Sequence, residues 1–304
     1  MDLNVKYHAP TTVSELLQLM SSASTNTLAR PLSGGSDLIV QMGSGRVQPG
    51  QIVDMKRIPE LVDIKHDSDG WHIGAATPIA VMGEHAQLRA AWPGVVEAAT
   101  LIGSKQVQGR GTIAGNLCNA SPAADSVPAL IAAGAVAVVG SAGADGKMTT
   151  REIAVESIPK SPGRTNLAAN EVVLSIRLPN RGARAADAYL RLTPRTEMDI
   201  AVVGCAVSLE LNAEGRVTAA RVGLGAVAPT ALLVPAAAEA LIGSKLEAEA
   251  MARFEAAVRA ACRPIDDKRG TAEYRIQVAG VLARRAATQA QQRAMQRNAQ
   301  EKNA

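Results

Sequence analysis

Aromatic residues are scarce: one Phe, two Trp and three Tyr in 304 residues. The core must therefore be built from Ala, Val, Leu and Ile. A platform on which bases could stack is missing too, which argues against a single-strand nucleic-acid module. Cysteine is nearly absent, and Cys118, Cys205 and Cys262 lie far apart. That spacing offers no C-x-x-C site for zinc or an iron–sulfur cluster, and an odd, unpaired count suits a reducing compartment. No apolar run approaches the roughly 20 residues that span a bilayer. The opening Met1-Asp2-Leu3-Asn4-Val5-Lys6 has no basic segment followed by an apolar core, so no export signal is read and a cytoplasmic location is expected. Acid–base machinery is missing as well. His8, His66, His72 and His85 are scattered, no Ser sits in a G-x-S-x-G elbow, and no H-x-x-H or carboxylate–His metal set occurs.

What is present is enough for two or three lobes, each burying a core. Hydrophobic residues make up 47% of the chain, broken by short polar stretches, which reads as globular rather than disordered. The balance of 32 basic and 28 acidic residues leaves a mild +4. Part of that excess lies at the C-terminus in Arg284, Arg285, Arg293, Arg297 and Lys302. Those residues read either as a solvated helical tail or as a docking surface for an acidic partner.

Thr12 to Ser21 carries Val13, Leu16, Leu17 and Met20 at helical spacing behind a Thr cap with a nearby Glu. Thr27 to Leu32 leads into the loop Ser33-Gly34-Gly35-Ser36-Asp37, and the apolar segment Leu38 to Met42 follows. Ile52-Val53-Asp54 and Trp71 to Ala75 read as strands. Thr77-Pro78 reads as the capped start of a helix, and Pro93 to Ile102 as another. Gly103 to Ala124 is rich in small residues with little periodicity. A helix is expected over Asp125 to Ala133, then strands over Ala135 to Val139 and over Glu171 to Leu178, the latter closed by Pro179. Asn180 to Ala186 is a polar connector and the chosen domain boundary. Strands over Ile200 to Leu211 and Val217 to Val227 are joined by the turn Asn212-Ala213-Glu214-Gly215. Helices over Leu246 to Cys262 and Thr271 to Ala287 close the lobe. This order predicts an α+β architecture: lobes over 1–55 and 56–179, a C-terminal domain over 180–290 of antiparallel strands plus helices, and a polar, flexible tail over 291–304.

Two small-residue loops carry the chemistry. Paired glycines at Gly34-Gly35 let a backbone approach a ligand and aim successive N–H groups at a phosphate, although the same pair also makes an ordinary turn. The second loop is Gly109-Arg110-Gly111-Thr112-Ile113-Ala114-Gly115-Asn116. Its G-x-G-x-x-A spacing imitates a dinucleotide fingerprint, but Ser104 to Gln108 is no apolar strand, and Ser121-Pro122 would interrupt a following helix. Two glycine-rich loops without acid–base groups suit a cofactor that brings its own reactivity.

From Tyr7-His8-Ala9-Pro10 to about Ala287, the chain resembles the FAD-binding medium subunit of the xanthine dehydrogenase and carbon monoxide dehydrogenase group of molybdenum hydroxylases. Thr112 to Asp125 follows that family's second FAD loop almost position for position, and Pro31 to Asp37 resembles the first. Asp199-Ile200-Ala201 resembles the usual start of its C-terminal domain, and Arg269 to Arg275 with Val281 to Arg285 its C-terminal helix. The resemblance implies a two-lobed FAD-binding fold of the PCMH/vanillyl-alcohol-oxidase type. It implies that Leu32, Ser33, Gly34, Gly35 and Ser36 hold the pyrophosphate, with Thr112, Gly115 and Asn116 on its other side and along the ribityl chain. Asp125 would hydrogen-bond to the cofactor or cap its helix. Leu174 would line the flavin pocket, and Arg191 would sit at the isoalloxazine edge or on a strand surface. Ile102 stands where animal xanthine dehydrogenases place an aromatic residue against the flavin.

By the same resemblance, a large molybdopterin subunit oxidises substrate and a small subunit with [2Fe–2S] clusters relays electrons to FAD on this chain. An external acceptor such as NAD, oxygen or a quinone would receive them, and the assembly would be a dimer of heterotrimers. The cysteine-rich insert of the hydroxybenzoyl-CoA-reducing branch is missing. The rivals are a stand-alone FAD-dependent oxidoreductase of the same fold and a non-enzymatic flavin-binding module.

Overall fold

The computed structural model describes residues 5–22, 28–143 and 146–302, with side chains as far as 297. Met1 to Asn4, Thr27 and the last two residues of the 291–304 tail, all read above, lie outside the described residues.

The strands Lys6–His8, Gln51–Asp54 and Ala29–Leu32 form a parallel sheet with Gln51–Asp54 in the middle. Parallel neighbours need a crossover connection, and the helix Val13–Ser21 supplies the first. It starts as its sequence dictates. The Thr12 hydroxyl accepts from the Glu15 amide at 3.2 Å, and the Glu15 carboxylate accepts from the Thr11 amide at 3.1 Å. Leu16, Leu17 and Met20 turn inward and join a single cluster of buried side chains that runs through both lobes to Leu178 and takes in Tyr189, Ala206 and Ala231 of the C-terminal region. The first two lobes therefore share one continuous core.

The second sheet runs in the order Ile64–Asp67, Gly70–Gly74, Val172–Leu178, Val136–Ala142, Met148–Ala154, with antiparallel pairing throughout. Between its second and fourth strands the chain forms a series of short helices: Ile79–Glu84, Ala86–Ala91, Pro93–Thr100, Lys105–Gln108, Ile113–Cys118 and Ser126–Ala132. Three details differ from the sequence reading. Pro78, not Thr77, precedes the first of these helices, because the Thr77 hydroxyl donates instead to the Asp63 carbonyl at 3.2 Å. The stretch 103–124 holds two helices, capped by the hydroxyls of Ser104 and Thr112. Strand Met148–Ala154 was not anticipated: it lies at the sheet edge and is largely exposed, so no inward-facing alternation marks it.

A separate antiparallel sheet of Ala185–Leu192, Val203–Leu211, Val217–Gly225 and Leu232–Leu233 makes the C-terminal region. The hairpin expected at Asn212–Gly215 is present, closed by the Asn212 amide donating to the Arg216 carbonyl at 2.8 Å. The connector ends earlier than expected, since Ala185 and Ala186 already pair with Glu210 and Leu209, and the strand expected from Ile200 starts at Val203. Helices Pro235–Leu241, Ala248–Ala261 and Ala272–Lys302 accompany this sheet, and the single Phe254 is fully buried among them. Burying a side chain of that size contributes about 1.5–3 kcal/mol.

The expected flexible tail is instead the end of the last helix. Ala279, Ala283, Ala286, Ala287, Ala290 and Ala294 are all fully buried, a stripe of small residues that lets the helix lie close against the sheet past Ala287. Two of its basic residues, Arg293 and Arg297, face the second lobe, whereas Arg284 pairs with Glu255 and Arg285 is exposed. Arg293 pairs bidentately with Glu97 and donates to the Asp187 carbonyl at 2.9 Å, and Arg297 donates to the Ala91 carbonyl at 3.1 Å. Buried Arg181 reinforces the seam, stacking 4.0 Å over the Trp92 ring and pairing with Asp187 at 3.0 Å.

Candidate cofactor site

Strand Ala29–Leu32 ends at the loop Ser33–Asp37, which faces the loop Gly111–Thr112 and the helix Ile113–Cys118 across a cleft of about 1090 Å³. Drug-sized ligand pockets occupy roughly 300–1,000 Å³, so this volume suits a dinucleotide.

The two loops are locked together by hydroxyls. Ser33 donates to the Ala75 carbonyl at 2.6 Å and lies 2.7 Å from the Thr112 hydroxyl. A hydroxyl has one proton to give, so Thr112 is the donor in that second bond. Thr112 in turn accepts the Gly115 amide at 3.0 Å, capping its helix. Backbone contact is just as close: a Cβ on Gly34 would stand 2.2 Å from the Arg110 carbonyl oxygen. Gly35 has φ +79°, a conformation that glycine alone adopts without penalty. That sign change aims successive N–H groups to one side, making an anion nest. The amides of Gly34, Gly35 and Ser36 have no acceptor among the described residues. Gly34 and Gly35 are half-buried and Ser36 is exposed, so an anion docked in the cleft would find free donors here.

Asn116 contributes differently. Its side-chain oxygen accepts both the Ser126 hydroxyl at 2.7 Å and the Ser126 amide at 3.3 Å. This leaves its NH₂ group to face the cleft as a donor. Gln41 spans the cleft from helix Leu38–Gly43 to Asn119 at 3.0 Å.

Of the residues singled out in the sequence, Leu32, Ser33, Gly34, Gly35, Ser36, Ile102, Thr112, Gly115 and Asn116 line this cleft together. Asp125, Leu174 and Arg191 do not. Leu174 is buried in the sheet behind it. Asp125 precedes helix Ser126–Ala132 but its side chain makes no cap, which corrects the capping reading. It accepts from the Tyr189 hydroxyl at 2.8 Å and from Arg191 Nη1 at 2.6 Å, joining the second lobe to strand Ala185–Leu192. Arg191 is thereby a buried ion-pair partner rather than a surface strand residue. Burial pushes the Asp125 carboxyl above its ordinary pKa, and Arg191 and Tyr189 only partly offset this. Burial likewise holds Tyr189 well above the ordinary phenol value.

Sequence reasoning missed Arg30, Arg46, Gly163 and Arg164, which also line the cleft. Pro162-Gly163 carries a turn signal, but nothing local says that the turn returns to the cleft; the Gly163 amide donates to the Ala120 carbonyl at 3.1 Å. Cys118 also lines the cleft, and burial pushes its thiol up to about 12.

Residues 3–181 match the FAD binding domain in molybdopterin dehydrogenase, and residues 188–290 match the CO dehydrogenase flavoprotein C-terminal domain. The carbon monoxide dehydrogenase medium chain of Hydrogenophaga pseudoflava is 33% identical over 281 residues, which cover 92% of this chain and 95% of that one. The putative xanthine dehydrogenase FAD-binding subunit of Escherichia coli K12 is 25% identical, covering 93% and 95%. A solved structure of carbon monoxide dehydrogenase from Hydrogenophaga pseudoflava superimposes with a TM-score of 0.88 at 34% identity, covering 96% of this chain and 99% of that chain. The fold is therefore the α+β, FAD-binding architecture expected above, and no helix among the described residues is long and apolar enough to cross a membrane. With its glycine cradle, cleft and C-terminal sheet in this arrangement, the chain belongs to the FAD-binding flavoprotein subunits of the molybdopterin dehydrogenases, the family of the carbon monoxide and xanthine dehydrogenases.

Proposed function

We propose that this chain is the electron-output subunit of a molybdenum hydroxylase complex, accepting electrons from [2Fe–2S] clusters of a small partner and releasing them to an external acceptor. The large partner would carry the molybdopterin and the substrate chemistry, in a dimer of heterotrimers. FAD, when bound, supplies the conversion between one-electron delivery from clusters and two-electron release to an acceptor.

The chain's own residues supply binding, orientation and exclusion of water. The unpaired amides of Gly34, Gly35 and Ser36 would hold the pyrophosphate, and the Thr112–Ser33 hydroxyl pair fixes the distance between the two walls. Asn116, which also lines the cleft, would donate from its amide, and Ile102 would offer an aliphatic surface to the cofactor. Leu174, Asp125 and Arg191 lie outside the cleft lining, Asp125 and Arg191 joining the second lobe to strand Ala185–Leu192.

The observation that carries the proposal is the dinucleotide-sized cleft with its glycine cradle, whose described lining holds a single carboxylate, Asp37, next to the cradle itself. A stand-alone FAD-dependent oxidoreductase would need a substrate base there; among the described residues no His or Glu lines the cleft, and the one carboxylate, Asp37, directly follows the Gly34–Ser36 cradle. The test is co-expression with molybdenum and iron–sulfur partners followed by anaerobic substrate addition. Substrate-driven bleaching of the flavin absorbance in the complex, lost when the iron–sulfur partner is omitted, is the expected result. Bleaching by substrate of this chain alone would favour the stand-alone oxidoreductase.

A further inference from the structure

Behind the Ser33–Ser36 loop lies a charged chain that the cleft-lining residues leave unexplained. Strand Gln51–Asp54 passes beneath the loop, and the Met55 amide donates to the Leu32 carbonyl at 3.0 Å. Next comes Lys56. Its ammonium donates to the Ser33 carbonyl at 3.2 Å and to Asp54 Oδ1 at 2.7 Å. Asp54 Oδ1 also accepts the Lys56 amide at 3.0 Å, and Asp54 Oδ2 accepts the Tyr7 hydroxyl at 2.6 Å. Both oxygens of the carboxylate are thus committed, and the lysine head has one fixed place to go. The side chains of Lys56 and Asp54 are only 25% and 9% exposed.

We propose that Lys56 is a positioning residue for the cofactor, acting through the peptide bond between Ser33 and Gly34. In a trans peptide the carbonyl and the following N–H point in opposite directions. Lys56 does not line the cleft. By drawing the Ser33 carbonyl toward itself, it turns the Gly34 N–H the other way, into the cleft. Without that anchor the peptide is free to rotate, and the first donor of the nest is lost to solvent. Asp54 and Tyr7 hold the lysine in reach, so the effect on binding falls in the order Lys56, Asp54, Tyr7. The inference rests on the FAD reading of the cleft and adds to it the residue that shapes the pyrophosphate nest.

The test is a comparison of three ligands by titration calorimetry on the full-length apoprotein: FAD, ADP and riboflavin. ADP carries the pyrophosphate without the ring system, and riboflavin the ring system without the phosphates. For Lys56→Met the expected result is a loss of about tenfold in affinity for FAD and for ADP, with riboflavin unchanged, as one charge-assisted hydrogen bond predicts. Lys56→Arg, which reaches the same two acceptors, should recover most of it. Should Lys56→Met fail to fold, Asp54→Asn keeps the lysine but frees it, and should weaken FAD and ADP about threefold. Unchanged FAD affinity in these variants would overturn the assignment, as would an equal loss for all three ligands, which marks a general structural role. A wild-type chain that takes up no FAD, alone and in complex with its partners, would overturn the reading of the cleft itself, and this inference with it.

Discussion

The front and the back of the cofactor cleft are built on opposite plans. The front is backbone: glycines at 34 and 35, free amides, and a carbonyl of Arg110 that leaves no room for a side chain. The back is side chain: Asp125 with Tyr189 and Arg191, Arg181 stacked over Trp92, and Arg293 with Glu97, all bridging the second lobe and the C-terminal region. The front fails when an atom is added, whereas the back fails when a partner is taken away. Added atoms should therefore cost cofactor, and removed partners should cost stability.

The largest effect is expected at Gly34. In Gly34→Ala the new methyl meets a backbone oxygen, which can yield only by opening the cleft. FAD affinity should fall on the order of a hundredfold or more, about 3 kcal/mol, and the purified variant should be nearly colourless. A fully flavinated Gly34→Ala would break the distinction. At the back, Asp125→Ala leaves the Arg191 guanidinium buried without its partner. Stability should drop by about 3–5 kcal/mol, read by chemical denaturation of the apoprotein. Arg191→Met in the same background should recover part of that loss, because an apolar pair replaces an unmatched charge. Truncation after Ala290 removes Arg293 and Arg297 from the seam. Since Glu97 is half-exposed, a smaller drop of about 1–2 kcal/mol is expected, again with FAD affinity changed less than stability.

The Tyr7–Asp54–Lys56 chain gives the contrast a pH signature. Burial pushes Asp54 up, but hydrogen bonds from Lys56 and Tyr7 outweigh it and leave the carboxyl below its ordinary value. A depressed carboxylate contributes stability that is fully present above the unfolded pKa of about 3.9 and lost as pH falls through the folded value. The wild type should therefore lose stability on acidification below about pH 4 more steeply than Asp54→Asn. The smallest effect concerns Cys118. With its thiol pushed up to about 12, it should resist alkylation near neutral pH in both apo and FAD-loaded protein. Rapid labelling would mean that the cleft opens more widely than its hydroxyl locks allow.

This same contrast explains what the sequence made legible. Gly34, Gly35 and the Thr112–Asn116 run could be read because a backbone nest depends on residue type over a few consecutive positions. Helix Val13–Ser21 and the hairpin at Asn212–Gly215 were legible for the same local reason. Asp125, Tyr189 and Arg191 could not be paired, since their contacts span more than 60 residues of chain and no periodicity encodes a partner. The short helices within 103–124 carried readable caps at Ser104 and Thr112, yet six residues or fewer show no apolar period. The last helix outran its expected end because alanine marks a buried stripe only weakly. Ala290 and Ala294 among glutamines and arginines look polar until the sheet beneath them is known.

The most direct test of the account is the absorption spectrum of the purified chain, with released cofactor identified after denaturation. A yellow protein yielding FAD at about one per chain is the result expected from a cleft of this size and chemistry. A colourless protein that also fails to take up added FAD, alone and in complex with its partners, would contradict it.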